Sequence, residues 1–349
     1  QRMGHTIHLD ATYSVGPLPT GVANYSQEIL NGLSQRYPEH VFCRCYRPHR
    51  FLASFRDDLP SNSYRSLLLD GWFPRKPRLF HGLNQRLPQL KAAHMVSTFH
   101  DLFVMTSEYS TMDFRERFTA QAKDAAERSD IVCCVSEFTA SQVEDLLKVP
   151  RSRIRVIHHG ARLPDVSEIP PVAEREPIVL FVGAVQKRKN VAGLVRAFAA
   201  LPEPWKLVLV GGKGYGWEEV ELTIAESPAR SRIKCPGYTD DDTLRNLYRT
   251  ASIFAFPSFD EGFGLPVLEA MSWGLPVISS QRSSIPEVAG DAALLVDPTD
   301  DAALRDALTR LAESVDLRES LVAKGHERVK AFSWDKAVDA TFAVYQELL

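Results

Sequence analysis

Residues 253–274 read Ile-Phe-Ala-Phe-Pro-Ser-Phe-Asp-Glu-Gly-Phe-Gly-Leu-Pro-Val-Leu-Glu-Ala-Met-Ser-Trp-Gly. The four apolar residues Ile253–Phe256 fit a strand buried on both faces. Gly262 and Gly264 let the backbone approach a ligand, Pro266 suits the first turn of a helix, and Gly274 suits its end. Strand, glycine loop and helix in that order form one βα unit. The start of the helix offers unpaired N–H groups to an anion or to a ring of hydroxyls. Glu261 stands before the helix and Glu269 about one turn inside it, so two carboxylates bracket these donors. A carboxylate can accept two vicinal hydroxyls. The layout therefore suits a sugar at Glu261, a ribose at Glu269 and phosphates between them.

The same unit recurs upstream. The apolar run Ile178–Val182 is followed by Gly183-Ala-Val-Gln-Lys-Arg-Lys-Asn, which puts Lys187, Arg188 and Lys189 at a strand tip just before Asn190, a predicted helix N-cap. Arg188 can grip two phosphate oxygens, and Lys189 acts as a point charge. Further strands are predicted at Ile7–Asp10, His40–Tyr46, Ser66–Leu69, Met95–Phe99, Ile131–Ser136, Ile154–His158, Leu207–Val210, Val277–Ser279 and Ala293–Val296. A helix whose apolar face carries Val22, Tyr25, Ile29 and Leu33 follows the first of them. Alternation of this kind predicts an α/β protein with parallel sheets. The proline- and charge-rich segment between Leu163 and Pro177 marks a domain boundary. The expectation is two Rossmann-like, doubly wound domains facing a cleft, residues 1–168 and residues 169–330, with the C-terminal stretch 331–349 helical. Ligands in such sheets lie beyond the carboxyl ends of the strands.

A chain of 349 residues has room for about two domains. With 44% hydrophobic and 24% charged residues and a net charge of −3, it is an ordinary globular composition that points to no nucleic-acid partner. The charge is unevenly spread: residues 1–165 hold 21 basic and 17 acidic residues (+4), against 20 and 27 (−7) in the remainder. Residues 40–91 alone carry 10 Lys/Arg and 3 Asp/Glu among several aromatics, a face suited to an anionic partner such as a membrane surface. The five cysteines lack zinc-site spacing and are expected to be reduced core residues. No run of about 18 apolar residues occurs and Gln1–His5 lacks a signal-peptide build, so a cytoplasmic protein is expected, peripheral at most on the inner membrane face.

In the first half, Pro19-Thr-Gly-Val-Ala-Asn-Tyr opens the first helix, with Gly21 able to turn backbone N–H groups toward a phosphate. Thr98-Phe-His-Asp places His100 at a strand end. These pieces, with Val135-Ser-Glu-Phe-Thr, His158-His-Gly, Gly183 through Asn190, Gly237, the Glu261-to-Glu269 run and Phe332-Ser-Trp-Asp-Lys-Ala, resemble the retaining GT-B glycosyltransferases of family four. The resemblance covers nearly the whole chain, Glu-Gly-Phe-Gly-Leu-Pro-x-x-Glu is its most specific part, and it implies a C-terminal helix over 331–349 that crosses back to the first domain. It implies that Arg188 and Lys189 hold the diphosphate of a nucleotide-sugar donor and that Glu269 holds the ribose. Glu261 and the backbone of Gly262, Phe263, Gly264 and Leu265 would hold the sugar. Gly21 and Gly183 would lie near the diphosphate, His100 beside the sugar and acceptor, and Tyr238 near the base.

The Arg188-Lys-Asn form of the basic loop resembles mannosyltransferases of surface-polysaccharide and O-antigen assembly. GDP-mannose is thus the expected donor, and a glycan or lipid-linked glycan the expected acceptor. No cofactor and no essential metal are expected, because Asp240-Asp-Asp precedes a helical pattern and is better accounted for by capping. The readings that compete are a sugar-nucleotide epimerase of the same fold and a non-catalytic two-lobed sugar-binding protein.

Overall fold

The computed structural model describes residues 4–17 and 20–349 and divides into two compact units. The first comprises residues up to Thr106, Thr111–Gly160 and Ser333–Leu349; the second comprises Ser107–Ser110 and Ala161–Phe332. Pro19, quoted above at the first helix start, lies outside the described residues.

In the first unit, seven parallel strands are β1 (Thr6–Asp10), β2 (Val41–Tyr46), β3 (Ser63–Leu67), β4 (Leu79–Gly82), β5 (His94–Phe99), β6 (Ile131–Cys134) and β7 (Ile154–Val156). They run in the order β3-β2-β1-β4-β5-β6-β7. Helices α1 (Gly21–Arg36), α2 (Pro48–Phe51), α3 (Phe103–Thr106), α4 (Met112–Arg128) and α5 (Glu137–Leu147) connect them. The Thr20 hydroxyl caps α1 by accepting the Ala23 N–H. The apolar face of α1 then buries Tyr25, Ile29 and Leu33 against one side of the sheet.

The second unit has six parallel strands: β8 (Ile178–Val182), β9 (Lys206–Val210), β10 (Ile233–Gly237), β11 (Ile253–Phe256), β12 (Val277–Ser280) and β13 (Ala293–Val296). Their order is β10-β9-β8-β11-β12-β13. Its helices are α6 (Val191–Phe198), α7 (Trp217–Glu226), α8 (Asp241–Thr250), α9 (Leu265–Ser272), α10 (Ile285–Ala289), α11 (Asp301–Glu313) and α12 (Val315–Val329). The strand order reverses between β1 and β4 in one sheet and between β8 and β11 in the other. At such points the loops leave in opposite directions and open a crevice.

The last helix, α13 (Trp334–Leu348), returns to the first unit, as the resemblance implied. Arg36 grips the Asp339 carboxylate with two hydrogen bonds of 2.8 and 2.7 Å, Tyr37 stacks on Phe342 with ring centroids 3.7 Å apart, and Tyr345 is fully buried. No helix among the described residues is long and apolar enough to cross a membrane.

Several local expectations are corrected. The third strand is Ser63–Leu67, upstream of the predicted Ser66–Leu69, and β4 and β10 are additional. The β6 strand ends at Cys134, while Ser136 leaves it to cap α5 by accepting the Thr139 N–H. Asn190 precedes α6 but does not cap it through its side chain: its backbone is left-handed (φ 54°) and its Nδ2 donates to the Pro298 carbonyl. Cys235 is exposed on edge strand β10, unlike the four buried cysteines, and all five are free. The basic stretch 40–91 is not a continuous solvated face. Arg44 and Arg47 are buried, Arg44 donating to Leu30 O and Asn31 and Arg47 to Asp70, while Arg65 and Arg78 are spent on backbone carbonyls.

Candidate functional site

The reversal point of the second sheet brings together the two loops singled out in the sequence, since Gly183–Asn190 leaves β8 and Pro257–Gly264 leaves β11. Phe259 N–H donates to Arg188 O at 2.9 Å, and Arg188 Nη1 donates to Asp260 O at 2.6 Å. At the centre lies the buried Glu261 carboxylate. Its Oε1 accepts from Lys189 Nζ at 2.7 Å and Ser258 Oγ at 2.6 Å, with Arg188 Nη1 3.1 Å away. Burial by itself would push the Glu261 carboxyl up, but the adjacent Lys189 ammonium and Arg188 guanidinium bring it down to about 2. Two cations share the Glu261 carboxylate here, and all three side chains are buried.

Glycines shape the site where contacts leave no room for a side chain. A Cβ at Gly183 (φ 152°) would come within 3.2 Å of the Lys189 stem. One at Gly264 would come within 2.5 Å of Ile285 Cδ1, and the φ of 94° just before α9 is one that glycine adopts without strain. Gly262 and Phe263 are buried on the way into the helix, with the Phe263 ring edge-on to Phe332, and Leu265 is the first helical residue.

Glu269, one turn into α9, is partly exposed as a residue, yet its carboxyl group is enclosed. Burial raises it to about 7, opposed only by the Tyr248 hydroxyl, which donates to Oε2 at 3.4 Å. Tyr238 follows β10, half exposed, with its ring against the Gly212 backbone; a Cβ at Gly212 would meet that ring at 2.4 Å. The run Gly211-Gly-Lys-Gly-Tyr-Gly is thus a packing device. It lies flat on the loop after β8 through Val185 N–H to Gly212 O, Gly214 N–H to Val185 O and Lys187 N–H to Tyr215 O.

In the first unit, Gly21 is the first residue of α1, and His100 follows β5, buried. The His100 ring stacks near His159 (5.7 Å) and meets the Tyr25 ring edge-on (4.7 Å). Burial lowers its pKa to about 4, so it is neutral at pH 7. Its Nε2–H donates to Leu83 O at 2.8 Å, which leaves Nδ1 as an acceptor.

The predicted residues Gly183, Arg188, Lys189, Glu261, Gly262, Phe263, Gly264, Leu265, Glu269 and Tyr238 all belong to the second unit, and Gly21 and His100 to the first. Sequence reasoning missed Ser258 and Tyr248, because a serine or tyrosine carries no signal until its partner is known. The triplet Asp240-Asp-Asp does cap a helix: Asp240 accepts the Thr243 N–H at 2.7 Å.

Comparison with known proteins places the chain in a family. Residues 164–328 match the family model described as glycosyl transferases group 1, and residues 19–163 the model described as glycosyltransferase family 4. The O-antigen chain mannosyltransferase B of Escherichia coli is 31% identical over 287 residues, which span 78% of this chain and 75% of that protein. The chain is a family 4 glycosyltransferase. This glycosyltransferase is also 28% identical over 200 residues to the serotype-specific mannosyltransferase WbdA of Escherichia coli, covering 50% of its own length and 24% of WbdA. Among solved structures, sucrose-phosphate synthase from Thermosynechococcus elongatus superposes with a TM-score of 0.77 at 23% identity, covering 99% of both chains. Its two doubly wound units are those of the GT-B fold.

Proposed function

We propose that this glycosyltransferase moves mannose from GDP-mannose to a hydroxyl of a glycan or lipid-linked glycan, with retention of configuration and without an essential metal. The observation that carries the reading is the Lys189–Glu261–Arg188 cluster at the β8/β11 reversal, which places two buried cations just before the start of α9. Negative charge grows on the diphosphate as the bond to the sugar breaks. Preorganised cations and helix N–H groups stabilise it without solvent having to rearrange. The acceptor oxygen forms its bond to the anomeric carbon on the face the diphosphate leaves, and its proton passes to the departing phosphate oxygen.

In this reading Arg188 and Lys189 hold the diphosphate, with Gly183 and Gly21 near it. The Glu261 carboxylate, whose Oε1 is tied to three donors, turns Oε2 to the sugar, and the Gly262–Leu265 backbone completes that contact. Glu269 takes the ribose and Tyr238 offers its ring to the base, while neutral His100 accepts from a sugar hydroxyl through Nδ1. The choice of mannose is supported by the two mannosyltransferase relatives. A lipid-linked acceptor suits the groups that remain exposed in the basic stretch, Leu52, Phe55 and Trp72 with Arg56, Arg75 and Lys76.

A thermal-shift panel of GDP-, UDP-, ADP- and dTDP-sugars tests the donor. Ligand at 100 times its Kd raises stability by about 2.7 kcal/mol, and GDP-mannose is expected to give the largest shift. Glu261→Ala and Arg188→Ala are each expected to lower transfer by about 10²- to 10³-fold. Unchanged turnover in both variants would sink the assignment.

A further inference from the structure

The loop that carries Glu261 is pinned from one further side. Glu261 N–H donates to Ser283 Oγ at 3.0 Å, and the Ser284 hydroxyl donates to Glu261 O at 2.8 Å. Both serines lie between β12 and α10, on an element that supplies none of the residues assigned above. Ser284 is buried and precedes α10, and its backbone carbonyl accepts the Val288 N–H.

Ser283 is the unusual member. Its φ of 56° lies in the left-handed region, where a side chain with a Cβ is held at a cost and where glycine would sit freely. Among the described residues, the other non-glycine residues with positive φ are Lys148 at a helix C-terminus and Asn190, a residue type that tolerates this conformation. Ser283 has neither excuse. What the strained backbone achieves is to aim the hydroxyl at the Glu261 N–H, which lies in the same peptide unit as the Asp260 carbonyl that Arg188 holds. One peptide plane is thus fixed at its N–H by Ser283 and at its C=O by Arg188, and the next carbonyl by Ser284. Lys189 and Ser258 hold Oε1 of the carboxylate directly, and the clamp fixes the backbone from which that carboxylate hangs.

We infer that Ser283 is a positioning residue for the transfer reaction: its hydroxyl orients the Glu261 peptide, and its left-handed backbone is strain retained for that purpose. The inference rests on the reading of Glu261 as the sugar-binding carboxylate.

Ser283→Gly and Ser283→Ala both lose the partner of the Glu261 N–H, and only glycine relieves the backbone, so the glycine variant should melt higher than the alanine variant by a few degrees. The hydroxyl is gone, so kcat for the preferred donor among GDP-mannose, UDP-glucose and ADP-glucose should fall about 10- to 100-fold. Binding of the bare nucleoside diphosphate should stay within about twofold of wild type, since the clamp directs the sugar contact. Ser283→Ala keeps the Cβ and loses the hydroxyl, and should match the glycine variant in kcat while melting lower. Wild-type kcat in Ser283→Gly alongside a dead Glu261→Ala would overturn the positioning role and leave the reading of Glu261 standing. Full turnover in Glu261→Ala would remove both. A glycine variant that melts no higher than the alanine variant would leave the left-handed backbone without strain and also overturn the inference.

Discussion

Glu261 and Glu269 share one βα unit and differ in protonation, because one carboxyl has cations beside it and the other has only a phenol. Glu261 titrates far below its ordinary 4.5. Its contribution to stability is complete above pH 4.5 and is lost as pH falls toward about 2, so it stays ionised throughout any assay range. Glu269 behaves in the opposite sense. With a folded-state value near 7 the native protein binds its proton more tightly than the unfolded chain does, so Glu269 lowers stability as pH rises from 4.5 to 7. Ribose recognition through two donated hydroxyls needs the carboxylate. The dissociation constant for GDP is therefore expected to fall as pH rises through about 7 and to level off above it, by up to tenfold per unit on the acid side. Titration calorimetry between pH 5.5 and 8.5 checks this, and Glu269→Gln should flatten the dependence.

At the scale of elements, the start of α9 depends on one residue without a Cβ. Gly264→Ala combines a φ of 94° with a contact of 2.5 Å to Ile285, and is expected to lower stability by at least about 1 to 2 kcal/mol and to weaken GDP binding. Thermal melts with and without GDP measure both. The same unit was legible in the sequence because three signals agreed: a continuous apolar strand, glycines at the turn, and a proline in the first helical turn. Strands failed to show where those signals lapse. Strand β10, Ile-Lys-Cys-Pro-Gly, lies at a sheet edge with three of its five residues exposed and carries a proline that only an edge tolerates. Strand β3 is the edge of the other sheet and lacks fully buried residues. Strand β4 is central, but its His81 reads as polar until Thr98 and Tyr345 are seen on its two ring nitrogens. The candidate site was legible in its charged residues and opaque in its hydroxyls. Arg188, Lys189 and Glu261 announce a charge pattern, whereas Ser258 and Ser283 matter only through the atoms they face.

At the scale of the molecule, the first unit is completed by residues far along the chain. Tyr25, Thr98, His81 and Tyr345 form a buried run of hydrogen bonds that ties α1, β5 and β4 to α13. Arg155 adds a bidentate pair with Glu347 at 3.0 and 2.6 Å. Tyr345→Phe would strand His81 Nδ1 in the interior and is expected to cost about 1 to 3 kcal/mol. A lowered melting temperature with an unchanged GDP-induced shift would locate that loss in the first unit.

The return of α13 also orders events in time. A ribosome must make all of residues 161–332 before it delivers the helix that covers Ile29, Leu33 and Tyr25, so the second unit can close its core while the first is still open along one side. The N-terminal half of this chain, although synthesised first, cannot become fully native until α13 is delivered, and until then its α1 face is the surface a chaperone would have to shield.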